Sequence, residues 1–504
     1  MHRRTFLKVG ALALAMPSAG AGCDGNWWAD KPIANSAVFP NGVIAGSPEE
    51  RAITFLVLCE SVEGHPAVGI EIATDPQLEH IIYRGVIPIL PQAPRVPLKF
   101  RLEDDILEPK TRYHYRFLSK RTETPIASFQ TLRSPDDPSP VRLAYFSCQG
   151  YSAGYYTAHR HLAAEPNIDL VACLGDYIYD LTDDVGPEER PDKIGTISKF
   201  GNGLAQTLDE YRQKYAYYRT DGNLQAMHAA HSFVAIWDNH ELAADGERDG
   251  ITPTLPWAQR MRNGMQAFWD FMPQYPGKSL PLTRKLRLGQ HAELFLLDMW
   301  TYQNPDVRNR TYLGREQIDW LLDGLRKSTA TWKIIASTTV MMSTDYPAGR
   351  PINLGQWDGF SDERQLILEA ILSDRVENVV VISGDLHTFL AGLVTTTGRA
   401  DGKPVALEFC GGAISSFGLF DLLPSDRSLA DKFATTARGA NPHWSFVDLL
   451  TRGYAVVEAR QDELLVTLRG VETTFEPQSD VFDVAVFRIA KGSKFIETIS
   501  TAPV

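Results

Sequence analysis

The chain has 504 residues, 44% of them hydrophobic and 10% aromatic, with a formal net charge of −12. The length suits roughly two to three domains of ordinary size, and the composition is that of a folded globular protein. The acidic balance, with no dense Lys/Arg run beyond the first few residues, excludes nucleic-acid binding through a broad basic face. It leaves room for a small phosphate site whose positive field is supplied locally by metal ions.

Residues 1–36 read as a targeting segment and leader. His2-Arg3-Arg4-Thr5-Phe6-Leu7-Lys8 has the form of a twin-arginine export signal, and the apolar stretch from Val9 to Met16 is too short to span a bilayer. Ala19-Gly20-Ala21 fits a small-residue cleavage site. Cys23 follows a loose lipoprotein box in which Gly20 stands where leucine is usual. Cleavage to a soluble periplasmic or secreted protein is therefore the expectation, with lipid anchoring at Cys23 as the alternative and the only route to a membrane. Of the five cysteines, Cys59, Cys173 and Cys410 lie inside apolar runs and read as buried free thiols.

Residues 37–132 read as a small all-β domain. Ile53–Leu58 and Val68–Ala73 are β-rich runs, and Leu98–Leu102 alternates cleanly. Leu107 to Phe117 has the pattern of the tyrosine corner of a fibronectin-like sandwich, with Tyr113 bonding back to the chain near Leu107. Residues 133–140, with three prolines in eight positions, form a stiff linker. From Val141 to the C-terminus, strands alternate with helices, so 141–504 is an α/β domain. Helices are expected at Leu208–Arg219 and Arg315–Lys327. The Tyr211, Tyr215, Tyr218 stripe on the first is read as packing. Asp180 to Gly203 reads as a long loop near the mouth of a site.

Four apolar strands of this domain end in metal-capable residues. Leu143–Phe146 leads to Cys148, and Ile168–Leu174 to Gly175-Asp176-Tyr177-Ile178-Tyr179. Phe233–Trp237 leads to Asp238-Asn239-His240-Glu241, and Val379–Ser383 to Gly384-Asp385-Leu386-His387. The carboxyl edge of a sheet is where α/β proteins build sites. A binuclear metal site needs ligands converging from several strand ends. A phenolate such as Tyr179 suits ferric iron, and a carboxylate such as Asp176 can bridge two ions. Asp385 and His387, two apart on an extended segment, point to one side as chelation requires. His159, His161, His228 and His231 lack ligand spacing and read as packing or surface residues.

The ordered set Ser-Cys-Gln, Gly-Asp-Tyr-Ile-Tyr-Asp, Trp-Asp-Asn-His-Glu and Gly-Asp-Leu-His resembles the PhoD-type alkaline phosphatases, a branch of the calcineurin-like metallophosphatases related to purple acid phosphatases. The match extends to Gly154–Leu162, Tyr211–Arg219, Leu313–Gln317, Trp357–Phe360 and Ile414–Ser416. The resemblance implies a sandwich of two mixed sheets flanked by helices, a fold that periodicity alone does not separate from a doubly wound sheet. It implies that Cys148 and Tyr179 bind iron(III), that Asp176 bridges to a second metal, that Asn239 binds that metal, and that Asp385 and His387 complete the set. Calcium is the first choice for the second ion, with manganese and zinc open. His240, with Asp176 and Asn239, is expected in the catalytic machinery as a donor to phosphate or leaving group, oriented by Asp238 or Glu241.

The implied activity is metal-dependent hydrolysis of phosphate mono- or diesters, through a hydroxide activated by two metals, in an exported protein. A phospholipase- or teichoic-type diesterase is the alternative, with Phe417–Phe420 and Leu422-Leu423 as a candidate apolar rim that also reads as ordinary packing. A non-catalytic cell-surface binding protein is a further alternative, opposed by the intact ligand set. The expected partners are a small phosphate ester and the twin-arginine export machinery. One departure stands out: Trp300 occupies the place of an arginine in many relatives, and its ring suggests stacking on an aromatic or nucleoside group.

Overall fold

The computed structural model describes residues 33–34, 38–60, 67–89, 96–119, 122–181, 186–198, 201–243, 253–275, 282–304, 310–347, 349–418 and 427–502. The export segment and Cys23 lie outside these residues, as do Leu419, Phe420, Leu422 and Leu423.

Two large sheets dominate, one of ten strands and one of seven. In the first, Val141–Phe146, Leu170–Cys173 and Phe233–Ala235 lie side by side and parallel. In the second, Ala292–Leu296, Trp332–Ala336, Val379–Ser383 and Pro404–Gly411 do the same. Antiparallel strands flank both sets, so each sheet is mixed. Leu143, Tyr145, Val380 and Ile382 meet in a core between the sheets. Their neighbours Ala144 and Phe146 face a second core under the helices of the first sheet, and Val379 and Val381 a third under those of the other. Period-2 alternation with both faces covered is why these strands read as unbroken apolar runs. The result is the helix–sheet–sheet–helix sandwich that the family resemblance implied. Tyr145 crosses between its layers, donating to the Phe409 carbonyl at 2.9 Å.

The helices form close to where the pattern places them. Leu208–Tyr218 starts at Thr207, whose hydroxyl accepts the Glu210 N–H while Glu210 accepts that of Thr207, a reciprocal capping box. Tyr211, Tyr215 and Tyr218 are all buried in the adjoining core. The second expected helix runs Gly314–Lys327.

Strands between Val43 and Gln130 form two facing layers around a separate core that includes Phe55, Ile70, Tyr115 and Phe129. The Tyr113 hydroxyl accepts the Glu108 N–H at 2.8 Å, next to Leu107 as the corner pattern requires. One layer, Val43–Glu49, Ala52–Val57 and Leu98–Glu103, continues the ten-stranded sheet through a bridge from Gly46 to Phe233. The linker is pinned as well. Arg133 makes a bidentate pair with Asp169, Nη2 to Oδ1 at 2.7 Å and to Oδ2 at 3.0 Å.

Described Cys148, Cys173 and Cys410 are buried free thiols, whereas Cys59 is only half-buried. His159, His228 and His231 are buried and bonded to Gln149, Tyr177 and the Leu162 carbonyl respectively. His161 contacts the Ser479 carbonyl.

Candidate metal centre

The parallel strands of both sheets deliver their carboxyl ends to one edge. Ligand atoms of Cys148, Asp176 and His387 all lie within 4.8 Å of one another, as do those of Asp176, Asp238 and Asp385. Asp176 belongs to both groups, the arrangement a bridging carboxylate requires. Tyr179 joins the first group: its oxygen is 3.2 Å from His387 Nε2. Asn239 precedes His240, whose backbone N–H donates to Asp176 Oδ1 at 3.3 Å.

Left-handed backbone concentrates here. Cys148, Asp176, Asp385 and His387 have φ of 57°, 54°, 64° and 53°. Each such non-glycine residue costs about 1–3 kcal/mol and persists where surrounding contacts over-determine it. The Asp385–His387 pair is therefore a left-handed turn rather than the extended segment expected. It presents its two side chains to different groups, Asp385 to one and His387 to the other. The contacts that hold the turns are visible. The Glu241 carboxylate accepts backbone N–H groups of Asp176 at 3.0 Å and Asp238 at 2.8 Å, and also that of Tyr177. Gly175, at φ +105°, lies so close that a Cβ would stand 2.5 Å from that of Asp238. Only glycine fits there.

Burial and crowding push the titrating groups toward their neutral forms. Burial, then the carboxylates of Asp176 and Asp385, push the Cys148 thiol well up. Burial, then Asp238, Glu241 and Asp385, push Asp176 well above the usual carboxylate range. Burial takes Asp238 to about 6 and Glu241 to about 8, and depresses His387 to about 4. Like charges packed in a dry site raise one another, and a cation reverses that logic.

The donor set fits metal ions. Asn239 Oδ1 is buried with no hydrogen-bond partner among the described residues. Such an orphan acceptor costs about 1–3 kcal/mol unless a ligand uses it. Thiol, phenol, imidazole and carboxylate in the first group suit iron. Carboxylate and amide oxygens in the second suit a hard divalent ion.

Three neighbours were not among the expected site residues. Asp238 was expected only to orient His240; it contributes a carboxylate to the second group instead. The residue that orients His240 is Asp180, with Oδ1 3.0 Å from His240 Nδ1. Glu241 does not do so either, being committed to the three backbone amides. Asp180 is fully buried and its other oxygen accepts Arg260 Nη2 at 2.8 Å. It opens the loop expected at the site mouth, and nothing in its local pattern distinguished it from a surface acid. Gln356, beside the Trp357–Phe360 motif, donates to Asp385 Oδ2.

His240 is stacked on Tyr179, ring centroids 4.0 Å apart. A carboxylate accepts only, so Nδ1 carries the proton facing Asp180 and Nε2 is left for a ligand. Trp300 is packed against two cores, and its indole N–H donates to Asp238 Oδ1 at 2.8 Å. The group expected to stack on substrate is thus tied to the centre itself. Phe417 ends at the site too: its carbonyl accepts from His387 Nδ1, and its ring lies 5.9 Å from that of Phe475.

Residues 143–468 match the family model described as PhoD-like phosphatase. Alkaline phosphatase D of Bacillus subtilis (strain 168) is 30% identical over 462 residues, spanning 86% of this chain and 76% of that protein. A solved structure of PhoD superposes with a TM-score of 0.80 at 28% identity, covering 94% of both chains. The purple acid phosphatase PPD1 from yellow lupin seeds superposes with a TM-score of 0.58 at 12% identity, over 93% of this chain and 78% of its own, a likeness of fold alone.

Proposed function

The chain belongs to the PhoD-like phosphatase family and is a phosphoric ester hydrolase; from that premise we propose that it is an exported phosphomonoesterase or phosphodiesterase built on two metal ions. The observation that carries this reading is the pair of donor groups sharing Asp176. Cys148, Tyr179, His387 and Asp176 would hold iron(III); Asp176, Asp238, Asp385 and Asn239 would hold a divalent ion, calcium in the first instance. Bound there, the ions would supply Lewis acidity toward phosphate oxygens and make a water acidic enough to attack phosphorus at neutral to alkaline pH.

The protein's own residues do the rest. Arg260 fixes Asp180, and Asp180 fixes the imidazole of His240 through Nδ1; a second proton carried at Nε2 would make His240 a hydrogen-bond donor to a phosphate oxygen or the departing alkoxide. Glu241 and the left-handed turns hold the donors before substrate arrives, so little reorganisation is needed in the transition state. No helix of the described residues is long and apolar enough to cross a membrane. Export by the twin-arginine route would carry the protein across folded, with its iron already in place.

A second reading, a diesterase acting on a lipid headgroup, draws on one observation. The Phe417–Phe475 pair stands directly beside His387, and Phe475 is 49% exposed. One assay separates the two. Iron-loaded protein is given a chromogenic phosphomonoester, its diester analogue and a short-chain phospholipid, each with calcium and with chelator. Turnover lost to chelator supports the metal mechanism, and the ratio assigns mono-, di- or phospholipid esterase. Chelator-resistant turnover would sink the two-metal reading.

A further inference from the structure

Ser416 is fully buried, and its hydroxyl stands between two partners. It accepts the Gly150 N–H at 2.7 Å and lies 2.6 Å from the Tyr179 oxygen. A hydroxyl has one proton to give. With Gly150 supplying a donor, that proton is directed at Tyr179. On the other side of the Tyr179 oxygen is His387 Nε2 at 3.2 Å. The His387 Nδ1 faces the Phe417 carbonyl, which only accepts, so Nδ1 carries the proton and Nε2 offers a lone pair. The Tyr179 oxygen thus sits between a fixed donor and a fixed lone pair.

The segment that places Ser416 is stitched to the Cys148 turn. The Ile414 N–H donates to the Ser147 carbonyl at 3.1 Å, and the Ser416 N–H to that of Cys148 at 3.2 Å. Ser415 Oγ donates to the Gly150 carbonyl at 2.9 Å, and Arg452 Nε to that of Ser416 at 2.7 Å. A rotor held from this many sides keeps its direction.

We infer that Ser416 is a positioning residue for the iron site: its hydroxyl donates into the Tyr179 oxygen and sets how much electron density that ligand gives to a ferric ion. The inference rests on the reading of Tyr179 as an iron ligand. Such outer hydrogen bonds orient ligands and tune the metal they hold. A donor on a phenolate lowers the energy of its lone pairs. Removing it raises them, which moves phenolate-to-iron charge transfer to lower energy.

The test is the visible spectrum of the full-length protein loaded with ferric iron, beside its iron content. The Cys148 thiolate and the Tyr179 phenolate would both give charge-transfer bands, and the phenolate band is the component that Tyr179→Phe abolishes. Ser416→Ala should move that band to longer wavelength and weaken iron retention by about 10-fold or more. Ser416→Thr, which keeps the hydroxyl, should restore both. Ser416→Cys, nearly isosteric with a weaker donor, should give an intermediate shift even if the alanine variant does not fold. A purely structural role would lower melting temperature and occupancy while leaving the band of the iron-bound fraction in place; that result overturns the role of Ser416 and leaves Tyr179 ligation standing. A wild-type spectrum from which Tyr179→Phe removes no band takes away the iron–phenolate reading and this inference with it.

Discussion

The indole N–H of Trp300 donates to Asp238 Oδ1 at 2.8 Å. Where the family resemblance implied an arginine, this chain places a neutral donor against a buried carboxylate. Thr338 Oγ1 donates to the same oxygen at 3.2 Å. Asp238 is thereby aimed without being neutralised, and its charge stays available to an ion shared with Asp176 and Asp385. Trp300→Phe keeps the packing and deletes the donor. Trp300→Arg offers a competing cation. Both are expected to weaken the divalent ion by about 10–100-fold, the range for outer-shell partners. Calcium titration of iron-loaded protein measures this, and an unchanged Kd for both would reduce the contact to packing.

The Arg260–Asp180–His240 chain makes a separate prediction. Asp180→Asn keeps the size of the side chain but weakens the partner that holds the His240 tautomer. Loss of a positioned acid–base group costs about 10²–10⁴ in rate. His240→Asn should fall in that range, and Asp180→Asn toward its lower end, in kcat more than in KM. Metal content should stay at the wild-type level in both variants. A drop in bound metal matching the drop in rate would instead place these residues in ligand assembly.

Much of this centre was legible because strands buried on both faces cannot hide. Their apolar runs stop sharply, and Cys148, Asp176, Asn239, Asp385 and His387 follow the stops. What was not legible depends on contacts distant in sequence. Asp180 meets Arg260 across 80 positions, and Ser416 meets Tyr179 across 237. The extended geometry assigned to Asp385 and His387 failed for a local reason. Leu386 turns back so that its N–H reaches the Gly384 carbonyl at 2.7 Å, which strand alternation does not anticipate. The linker's prolines signalled a stiff connection but not its attachment, because the partner of Arg133 lies 36 residues on.

Acid should destabilise the protein through its buried histidines. Burial depresses His159 from 6.5 to about 3 and His231 from 6.5 to about 4. At these two histidines the folded state therefore binds fewer protons than the unfolded chain below pH 6.5, while the raised carboxylates of the centre act in the opposite sense. The histidines' contribution is fully present above that value and is lost as pH falls toward the folded pKa values. Each costs about 1.4 kcal/mol per pH unit inside the window, or roughly 2 kcal/mol between pH 6.5 and 5. Urea denaturation of chelator-treated protein at several pH values reads the slope. His159→Gln should flatten it by one proton's share, and an unaltered slope would mean that His159 already titrates in the native state.

The pairing of Arg133 with Asp169 carries a prediction about cooperativity. Both side chains are buried, and Asp169 also accepts Gln130 Nε2 at 2.6 Å and the Arg142 N–H at 2.9 Å. The same seam is crossed by Ser128 Oγ donating to the Ala230 carbonyl at 2.9 Å, and by the Gln130 N–H donating to Ser232 Oγ at 2.8 Å. With Gly46 bridged to Phe233, the N-terminal β layers are hydrogen-bonded to the sheets that carry the candidate metal centre rather than merely tethered. Removing one partner of a buried pair strands the other charge, at a cost of about 3–5 kcal/mol. Arg133→Met is therefore expected to lower stability by that amount, while Arg133→Met with Asp169→Asn recovers most of it by removing the stranded charge. Calorimetry distinguishes two consequences. If the seam couples the halves, the wild type melts in one transition and Arg133→Met separates it into two, the N-terminal layers melting first. A wild type that already melts in two steps would show that the shared sheet does not carry cooperativity across residue 133.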